Sequence, residues 1–115
     1  MINTNLTKLY INGQWVNPIE EKQFTTINPA TSNANGTIKM GSAIDVNIAV
    51  KAAKNAFLEF SSTDIAYRRL LLEQIINLYE KRIDDLAAAV TLEMGAPITL
   101  SREAQVIAGL YNLKD

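Results

Sequence analysis

The chain has 115 residues, with 11 Lys and Arg against 12 Asp and Glu and a formal net charge of -1. Its length allows one ordinary domain, and its 48% apolar and 20% charged residues exclude a disordered or collagen-like chain. The sequence contains neither Cys nor His. Disulfides, thiolate nucleophiles and zinc sites built on these residues are therefore excluded.

The composition also bears on partners and compartment. The first residues lack the basic patch, long apolar run and cleavage site of a secretory signal, so we predict a cytoplasmic chain. The longest unbroken apolar stretch is the five residues from Leu86 to Val90, far below the roughly 20 residues that span a bilayer. Because the charge is balanced, we expect neither a nucleic acid nor a membrane as partner.

The first third of the chain alternates short β-forming runs with turn formers. Asn12-Gly13 lies between two such runs and predicts a hairpin, because a type I′ turn needs positive φ at both central residues. A second run at Phe24 to Ile27 is followed by Asn28-Pro29, which ends it, since Pro donates no hydrogen bond to a strand ladder. These signals predict a small β unit between Leu9 and Ile27.

From Ser42 onward apolar residues recur at steps of three and four, which is the period of amphipathic helices. Asp45 or Ser42 is available as the first N-cap, and Gly95 followed by Pro97 marks a helix end. The predicted helices are Asp45 to Phe60, Ile65 to about Met94, and about Thr99 to Leu113. We therefore predict an α/β chain, or α+β in isolation, with a β arm at about 9–41 and three amphipathic helices at about 42–115.

The second predicted helix carries a broad apolar face. This face consists of Leu72, Ile75, Ile76, Tyr79, Ile83 and Leu86. Asp84-Asp85 is available to cap the helix again if the chain bends after Arg82. Arg69 and Glu73 are four residues apart and predict a surface ion pair.

Residues that could carry chemistry are few. The five Gly residues are scattered and form neither a GxGxxG motif nor a P-loop. The acidic pairs Glu20-Glu21 and Asp84-Asp85 are interpreted as turn and cap acids, because sequence neighbours do not face one substrate. Ser61, Ser62 and Ser101 lack a His to activate them and are interpreted as capping serines. The aromatic residues fall at core-like spacings, so we expect them in the core.

A series of short motifs runs through the chain in a specific order. They are Tyr10 to Val16, Ile27 to Thr31, Asp45-Val46 with Ala49-Val50 and Ala52-Ala53, Phe57, Arg68 with Leu71-Leu72, Glu93, and Gly95-Ala96-Pro97. Together they resemble the N-terminal region of the NAD(P)-dependent aldehyde dehydrogenases. The resemblance runs from about Leu9 to the C-terminus but covers only the opening part of the family's catalytic polypeptide. It implies the beginning of a Rossmann-like cofactor-binding domain.

The resemblance also implies what this chain does not carry. The family oxidises an aldehyde to an acid through a cysteine thioester, with hydride transfer to the nicotinamide, and this chain has no Cys. The family's oxyanion, ribose-binding and Gly-rich motifs find no match, so no catalytic and no cofactor-binding residue is assigned. NAD or NADP would then belong to the parent enzyme and not to this chain alone. The implied partner is the remainder of the dehydrogenase polypeptide or a full-length dehydrogenase subunit.

One ionic site follows from the resemblance. Some members hold a monovalent cation through a main-chain carbonyl and an acid, and the matching positions here are Ile38 and Glu93. The third ligand would come from later sequence, and a surface or cap acid is the preferred interpretation of Glu93.

Two hypotheses of function therefore stay open. The first is a truncated, catalytically inactive N-terminal portion of an aldehyde dehydrogenase. The second is a stand-alone helical binding or assembly module, which docks on a full-length dehydrogenase. A piece of a larger domain should leave a broad apolar face uncovered, whereas a module should confine it to a partner-sized patch. The first hypothesis is favoured and predicts marginal stability.

Overall fold

Four strands precede the helices along the chain. The computed structural model describes residues 7–20 and 22–115. The strands are β1 (Leu9–Ile11), β2 (Gln14–Val16), β3 (Lys22–Ile27) and β4 (Ala34–Met40). The helical elements are α1 (Ala43–Phe60), α2 (Ile65–Lys81), α3 (Ile83–Met94), α4 (Ile98–Leu100), a π-helical segment (Ser101–Gln105) and α5 (Val106–Lys114). This combination of small sheets and helices confirms the predicted α/β class.

The first two strands form the predicted hairpin. β1 and β2 are antiparallel, with Tyr10 opposite Trp15, and the two rings lie 5.1 Å apart between centroids. Asn12 and Gly13 connect the strands with φ values of 53° and 76°. The turn therefore has positive φ at both central residues, as the Asn-Gly dipeptide requires.

The second sheet pairs β3 with β4. β3 contains the predicted run at Phe24 to Ile27, and the hydroxyl of Thr26 donates a hydrogen bond to the carbonyl oxygen of Gly36 at 3.3 Å. β4 is absent from the predicted elements. Its sequence places Asn35 and Gly36 inside the strand, and both residue types are depleted in strands, so the local pattern concealed it.

The chain divides into two compact units. Among the described residues, the first unit contains 27–35 and 64–115, and the second contains 7–20, 22–26 and 36–63. The loop between β3 and β4 thus belongs to the same unit as α2 to α5. The assignment of residues 1–115 to one partial cofactor-binding domain, with a β arm at about 9–41 and a helical part at about 42–115, stays a prediction.

In the second unit, α1 begins with a capping box. Ser42 is the N-cap, its hydroxyl oxygen accepts a hydrogen bond from the Asp45 N–H at 3.4 Å, and Asp45 accepts one from the Ser42 N–H at 2.8 Å. Two of the N–H groups left without a partner at a helix start are thereby satisfied. Of the two predicted N-caps, Ser42 takes this role, and the helix begins two residues before the predicted Asp45.

In the first unit, the long predicted helix is divided at Arg82. α2 begins at the N-cap Asp64, whose carboxylate accepts a hydrogen bond from the Tyr67 N–H at 2.7 Å. α3 begins at Ile83, so Asp84 and Asp85 lie in its first turn and not at its N-cap. The helix is interrupted at Arg82, where the sequence left a bend open, but the capping role suggested for these acids is wrong. Carboxylates in a first turn still interact favourably with the helix dipole.

The third predicted helix corresponds to Ile98–Lys114 with a wider turn inside it. The five residues Ser101–Gln105 are π-helical, a conformation that a pattern of apolar residues at steps of three and four does not reveal. In the first unit, the buried apolar residues among those described are Ala87, Val106 and Leu110. They come from α3 and α5, so the core of the first unit lies between these helices. Among the described residues, no helix has the length and hydropathy needed to cross a bilayer.

The aromatic side chains are not in a core, contrary to expectation. Phe57 and Tyr111 are each 64% exposed and Tyr10 is 62% exposed, whereas Tyr79 is half-buried. Other large apolar side chains are equally uncovered, among them Leu58 at 77% and Ile65 at 79%. The spacing identified apolar helix faces correctly, but the described chain does not bury them.

Candidate functional site

The serine hydroxyls do not form a nucleophilic site. Ser61 and Ser62 donate hydrogen bonds to the carbonyl oxygens of Leu58 and Glu59, at 3.3 and 2.7 Å, and so bind the end of α1. Among residues 7–20 and 22–115, no three His, Cys, Asp or Glu side chains cluster as a metal site. The interpretation of Ser61 and Ser62 as helix-end residues is confirmed.

Ser101 differs from the other two serines. It is fully buried at the start of the π-helical segment, and its hydroxyl oxygen accepts a hydrogen bond from the Thr91 hydroxyl at 2.9 Å. Ser101 follows the last residue of α4, as a capping serine would, but its side chain caps no helix end and instead joins the helical segment to α3. Burial also keeps it away from any substrate in solution.

The paired acids and bases form surface ion pairs. Asp84 pairs with Arg102 at 2.9 Å, and Asp85 with Arg82 at 3.2 Å. The predicted pair of Arg69 with Glu73 is confirmed at 2.9 Å. Of the other acidic pair, Glu20 is exposed and Glu21 lies outside the described residues. Exposed pairs of this kind contribute little to stability and indicate no acid–base site.

Two asparagines organise the loop between β3 and β4 and the start of β4. The Asn28 side-chain oxygen accepts a hydrogen bond from the Ala30 N–H at 2.8 Å, which is the geometry of an Asx turn. Asn35 donates from Nδ2 to the carbonyl oxygen of Leu92 at 2.7 Å. Leu92 is in the last turn of α3, where carbonyl groups lack partners within the helix. The start of β4 thus satisfies one of these carbonyls from outside the helix.

Gly95 completes this contact between the loop and α3. It ends the helix in the left-handed conformation with φ of 71°, and its N–H donates to the Thr91 carbonyl at 3.0 Å. A Cβ at Gly95 would lie only 2.7 Å from the Ala30 backbone nitrogen. The segments Ile27 to Thr31 and Gly95 to Pro97, noted in the sequence as separate motifs, therefore meet in one loop–helix junction (residues 28–35 with 91–95).

The two predicted cation ligands lie on different elements. Ile38 is on β4 and half-buried, and Glu93 is in the last turn of α3 and exposed. They belong to different units. A main-chain carbonyl and a carboxylate are both oxygen donors, which suits a monovalent cation. The nearby Leu92 carbonyl already accepts the hydrogen bond from Asn35.

In the second unit, Asp45 is the buried charged residue. Its carboxylate accepts hydrogen bonds from the N–H and the hydroxyl of Ser42, both at 2.8 Å, and from the Ile19 N–H at 3.1 and 3.3 Å. The Ser42 backbone N–H is the largest cause that lowers the pKa of Asp45, and it outweighs the opposing effect of burial. A carboxylate with all of these donors is a structural anchor and not a general base.

Open apolar grooves are the remaining candidates. One groove of about 270 Å³ runs from α2 to α3 and is lined by Ile75, Leu78, Tyr79, Arg82 and Leu86. Another of about 300 Å³ lies in the second unit, between the hairpin residues 10–13 and the Ala residues of α1. Within the predicted apolar face, Leu72 and Ile75 are exposed and the other four residues are half-buried. Neither groove presents the set of polar groups that orients a small ligand.

Known proteins place these features in a family. A profile of the aldehyde dehydrogenase family matches residues 15–114. A Staphylococcus aureus protein named "Putative aldehyde dehydrogenase" is 44% identical over 104 residues, which are 90% of this chain and 22% of that protein. A Staphylococcus saprophyticus protein with the same description is 43% identical over 106 residues, again 22% of its length.

Solved structures agree with this match. The structure superposes with TM-score 0.96 on a variant of aldehyde dehydrogenase C from Pseudomonas syringae, solved with NAD+ and octanal, at 34% identity. It superposes with TM-score 0.92 on an aldehyde dehydrogenase from Bartonella henselae at 37% identity. These alignments cover 99% and 94% of this chain, but 24% and 23% of the other chains. The chain thus spans about a quarter or less of the proteins that it matches.

Proposed function

The chain belongs to the aldehyde dehydrogenase family, and from this premise we propose that it supplies the N-terminal scaffold portion of such an enzyme and is inactive by itself. The parent reaction is the NAD(P)-dependent oxidation of an aldehyde to a carboxylic acid through a cysteine thioester. The catalytic thiol and the cofactor site belong to the remaining polypeptide, which is the proposed partner. A cytoplasmic location stays a prediction.

The proposal rests on one observation: the match covers nearly all of this chain but only a small part of each relative. The match to the Staphylococcus aureus relative covers 90% of this chain but only 22% of that relative. The 115 residues also contain no Cys, the residue whose thiolate the family's reaction requires. A chain that matches its family almost throughout, but lacks the reacting group, is best understood as a part that positions other parts.

The exposed apolar surface supports the scaffold over a stand-alone module. A module that evolved to work alone would confine apolar surface to a patch of a few hundred Å². Here exposed large apolar side chains occur on β1, β3, α1, α2 and α5, including Tyr10, Phe24, Leu58, Leu70 and Tyr111. Surface of this extent is expected where further polypeptide normally covers a chain. The module stays the alternative, with docking on a full-length dehydrogenase as its function.

The test compares the chain alone with a joined protein. In the joined protein, this chain replaces the matching N-terminal part of the Staphylococcus aureus relative. We expect aldehyde-dependent reduction of NAD+ or NADP+, measured as absorbance of the reduced nicotinamide, from the joined protein and none from the 115-residue chain. Turnover by the chain alone would overturn the proposal, and so would a folded joined protein without activity.

We also propose Ile38 and Glu93 as two ligands of a monovalent cation, with the third from the remaining polypeptide. Ile38 would contribute its carbonyl oxygen and Glu93 its carboxylate. The measurement is the unfolding temperature of the joined protein. It is compared between a solution of potassium or sodium chloride and a solution of a salt with a bulky organic cation. A small cation should raise it in the wild type and not in Glu93→Gln, whereas the exposed acid variant Glu103→Gln should behave as wild type. An identical response of Glu93→Gln and Glu103→Gln would exclude the site.

A further inference from the structure

Two Asn-Gly dipeptides occur in the sequence, and the structure places them in different surroundings. Asn12-Gly13 forms the tip of the β1–β2 hairpin, where Asn12 is exposed. Asn35-Gly36 lies inside β4, and Asn35 is half-buried. A Cβ at either glycine would meet no atom of the described chain within 4 Å. Space around the two glycines is therefore alike, and it is the surroundings of the asparagines that distinguish the two sites.

An Asn-Gly dipeptide places a side-chain amide beside an unhindered main-chain nitrogen. When the Gly N–H loses its proton to a base in solution, its nitrogen attacks Cγ of the preceding Asn. The new N–Cγ bond closes a succinimide ring while the Cγ–Nδ2 bond breaks, and Nδ2 takes a proton from solvent and leaves as ammonia. Water then opens the ring to aspartate or to isoaspartate, with no oxidation or reduction. Glycine favours the attack because it has no Cβ and its backbone adopts many conformations.

Ring closure requires the Asn side chain and the following peptide to rotate toward each other. At Asn35 the leaving atom Nδ2 donates a hydrogen bond to the Leu92 carbonyl oxygen at 2.7 Å, and the main chain belongs to a strand paired with β3. The reaction must break that hydrogen bond and open the strand. Asn12 lies in a two-residue turn between strands of three residues each, so its reaction disturbs the tip alone. Such tips open at lower free energy than paired and packed segments.

We propose that Asn12 is a site of spontaneous deamidation and that its isoaspartyl product opens the β1–β2 hairpin. The turn has φ values of 53° and 76° at its two central residues, and isoaspartate lengthens the main chain there by one methylene. Because loop length fixes the register of a hairpin, the longer loop no longer suits the pairing of Tyr10 opposite Trp15. Aspartate, the other product, keeps the turn, since Asp-Gly also adopts type I′. This inference rests on the hairpin and is independent of the proposed function.

The experiment ages the purified 115-residue chain in buffers of neutral and mildly alkaline pH. Peptide mapping by mass spectrometry follows the replacement of NH2 by OH at each Asn-Gly site, and chromatography separates isoaspartate from aspartate. We expect Asn12 to react about tenfold or more faster than Asn35, because Asn35 must first lose a hydrogen bond and its strand pairing. In concentrated urea, which removes both constraints, the two rates should converge.

The comparison of rates has two outcomes that would overturn the site. One is a rate at Asn12 no higher than that at Asn35 in the absence of urea. The other is a slower reaction of Asn35 that persists in urea, because the difference would then come from the neighbouring sequence and not from the fold.

The fluorescence of Trp15 tests the opening of the hairpin. Trp15 is the only tryptophan in the sequence, and its signal should change in step with the isoaspartate formed at position 12. Asn12→Gly keeps a pair that forms type I′ turns but has no side chain to cyclise, so its fluorescence should stay constant during ageing. Freshly prepared Asn12→Asp adds the negative charge without the longer main chain and should match the unaged wild type. Isoaspartate that accumulates without a change in Trp15 fluorescence, or an equal change in aged Asn12→Gly, would overturn the opening.

Discussion

The hydroxyl oxygen of Tyr79 lies 2.5 Å from the position that a Cβ on Gly109 would occupy, and it donates a hydrogen bond to the Val106 carbonyl oxygen at 2.8 Å. Tyr79 is on α2 and Gly109 on α5. A glycine normally weakens a helix relative to alanine. Here its missing side chain allows the tyrosine to reach the α5 backbone, so Gly109 is explained by a close approach between helices.

Gly109→Ala and Tyr79→Phe should therefore not be additive. With Tyr79 present, Gly109→Ala must displace the hydroxyl and break its hydrogen bond, which should lower the free energy of unfolding by about 1–2 kcal/mol. With Phe at position 79 the hydroxyl is absent, and the helix propensity of Ala should make the same change neutral or stabilising by up to about 1 kcal/mol. Urea unfolding followed by circular dichroism gives the free energy of unfolding of the wild type, the two single variants and the double variant. Additive effects of the two substitutions would contradict the contact between Tyr79 and Gly109.

Gly95→Ala should destabilise the loop–helix junction for two reasons. Its φ of 71° is a left-handed conformation that costs an L-residue about 1–2 kcal/mol. The new Cβ would also lie 2.7 Å from the Ala30 nitrogen, an overlap with backbone that costs about 1–3 kcal/mol more. The urea concentration at the unfolding midpoint should therefore be lower for Gly95→Ala than for the wild type.

Gly13→Ala is the matched control for Gly95→Ala. Gly13 has a similar φ of 76°, but a Cβ there meets no atom within 4 Å. Its cost should therefore be limited to the backbone conformation, about 1–2 kcal/mol. The difference between the two variants measures the contact with Ala30, and equal destabilisation would show that this contact is absent.

Features specified by adjacent residues could be predicted from the sequence. Asn12-Gly13 predicted its hairpin, and Gly95 predicted the end of α3, because each signal lies in the residues that adopt the conformation. The same holds for Ser42 at the start of α1, where one capping box satisfies neighbouring N–H groups. These elements depend little on the rest of the fold.

Features that depend on distant residues could not be predicted. The Asn35 side chain finds its acceptor 57 positions later, on Leu92, and no local pattern relates the two. Ser101 likewise has its hydrogen-bond partner on another element, because its hydroxyl oxygen accepts from the Thr91 hydroxyl of α3. For the aromatic residues the sequence predicted a burial that the structure does not show. Apolar spacing identifies an apolar side of a helix, but it does not identify the polypeptide that would cover that side. The family motifs were recognisable, but their meeting at the junction was not.

The capping box at Asp45 should make the stability of α1 dependent on pH. Hydrogen bonds from Ser42 and Ile19 lower the pKa of the folded Asp45 carboxyl below its ordinary value of 3.8. A depressed pKa stabilises the folded state above the unfolded pKa, and this contribution is lost as the pH falls through the folded pKa. The wild type should therefore exceed Asp45→Asn in unfolding midpoint at pH 7, and the difference should vanish below the folded pKa of Asp45.

Asp64→Asn is the control at pH 7 for the change of an N-terminal Asp to Asn. Asp64 is the exposed N-cap of α2, and Asn caps a helix about as well as Asp. Its substitution should change the unfolding midpoint little at pH 7. If Asp45→Asn shows the same small effect at pH 7, the carboxylate of Asp45 does not carry the stabilisation that its hydrogen bonds indicate.

The exposed apolar surface should be measurable in solution. Leu58, Ile65 and Phe57 are 77%, 79% and 64% exposed, so the 115-residue chain should bind a hydrophobic fluorescent dye strongly and unfold over a broad, weakly cooperative temperature range. The joined protein should bind little dye and unfold sharply, because the proposed scaffold role requires the added polypeptide to cover these side chains. Dye fluorescence and thermal scans of both proteins test this directly. A sharp transition of the monomeric chain with low dye binding would show that the chain is stable without its partner, as a stand-alone module would be.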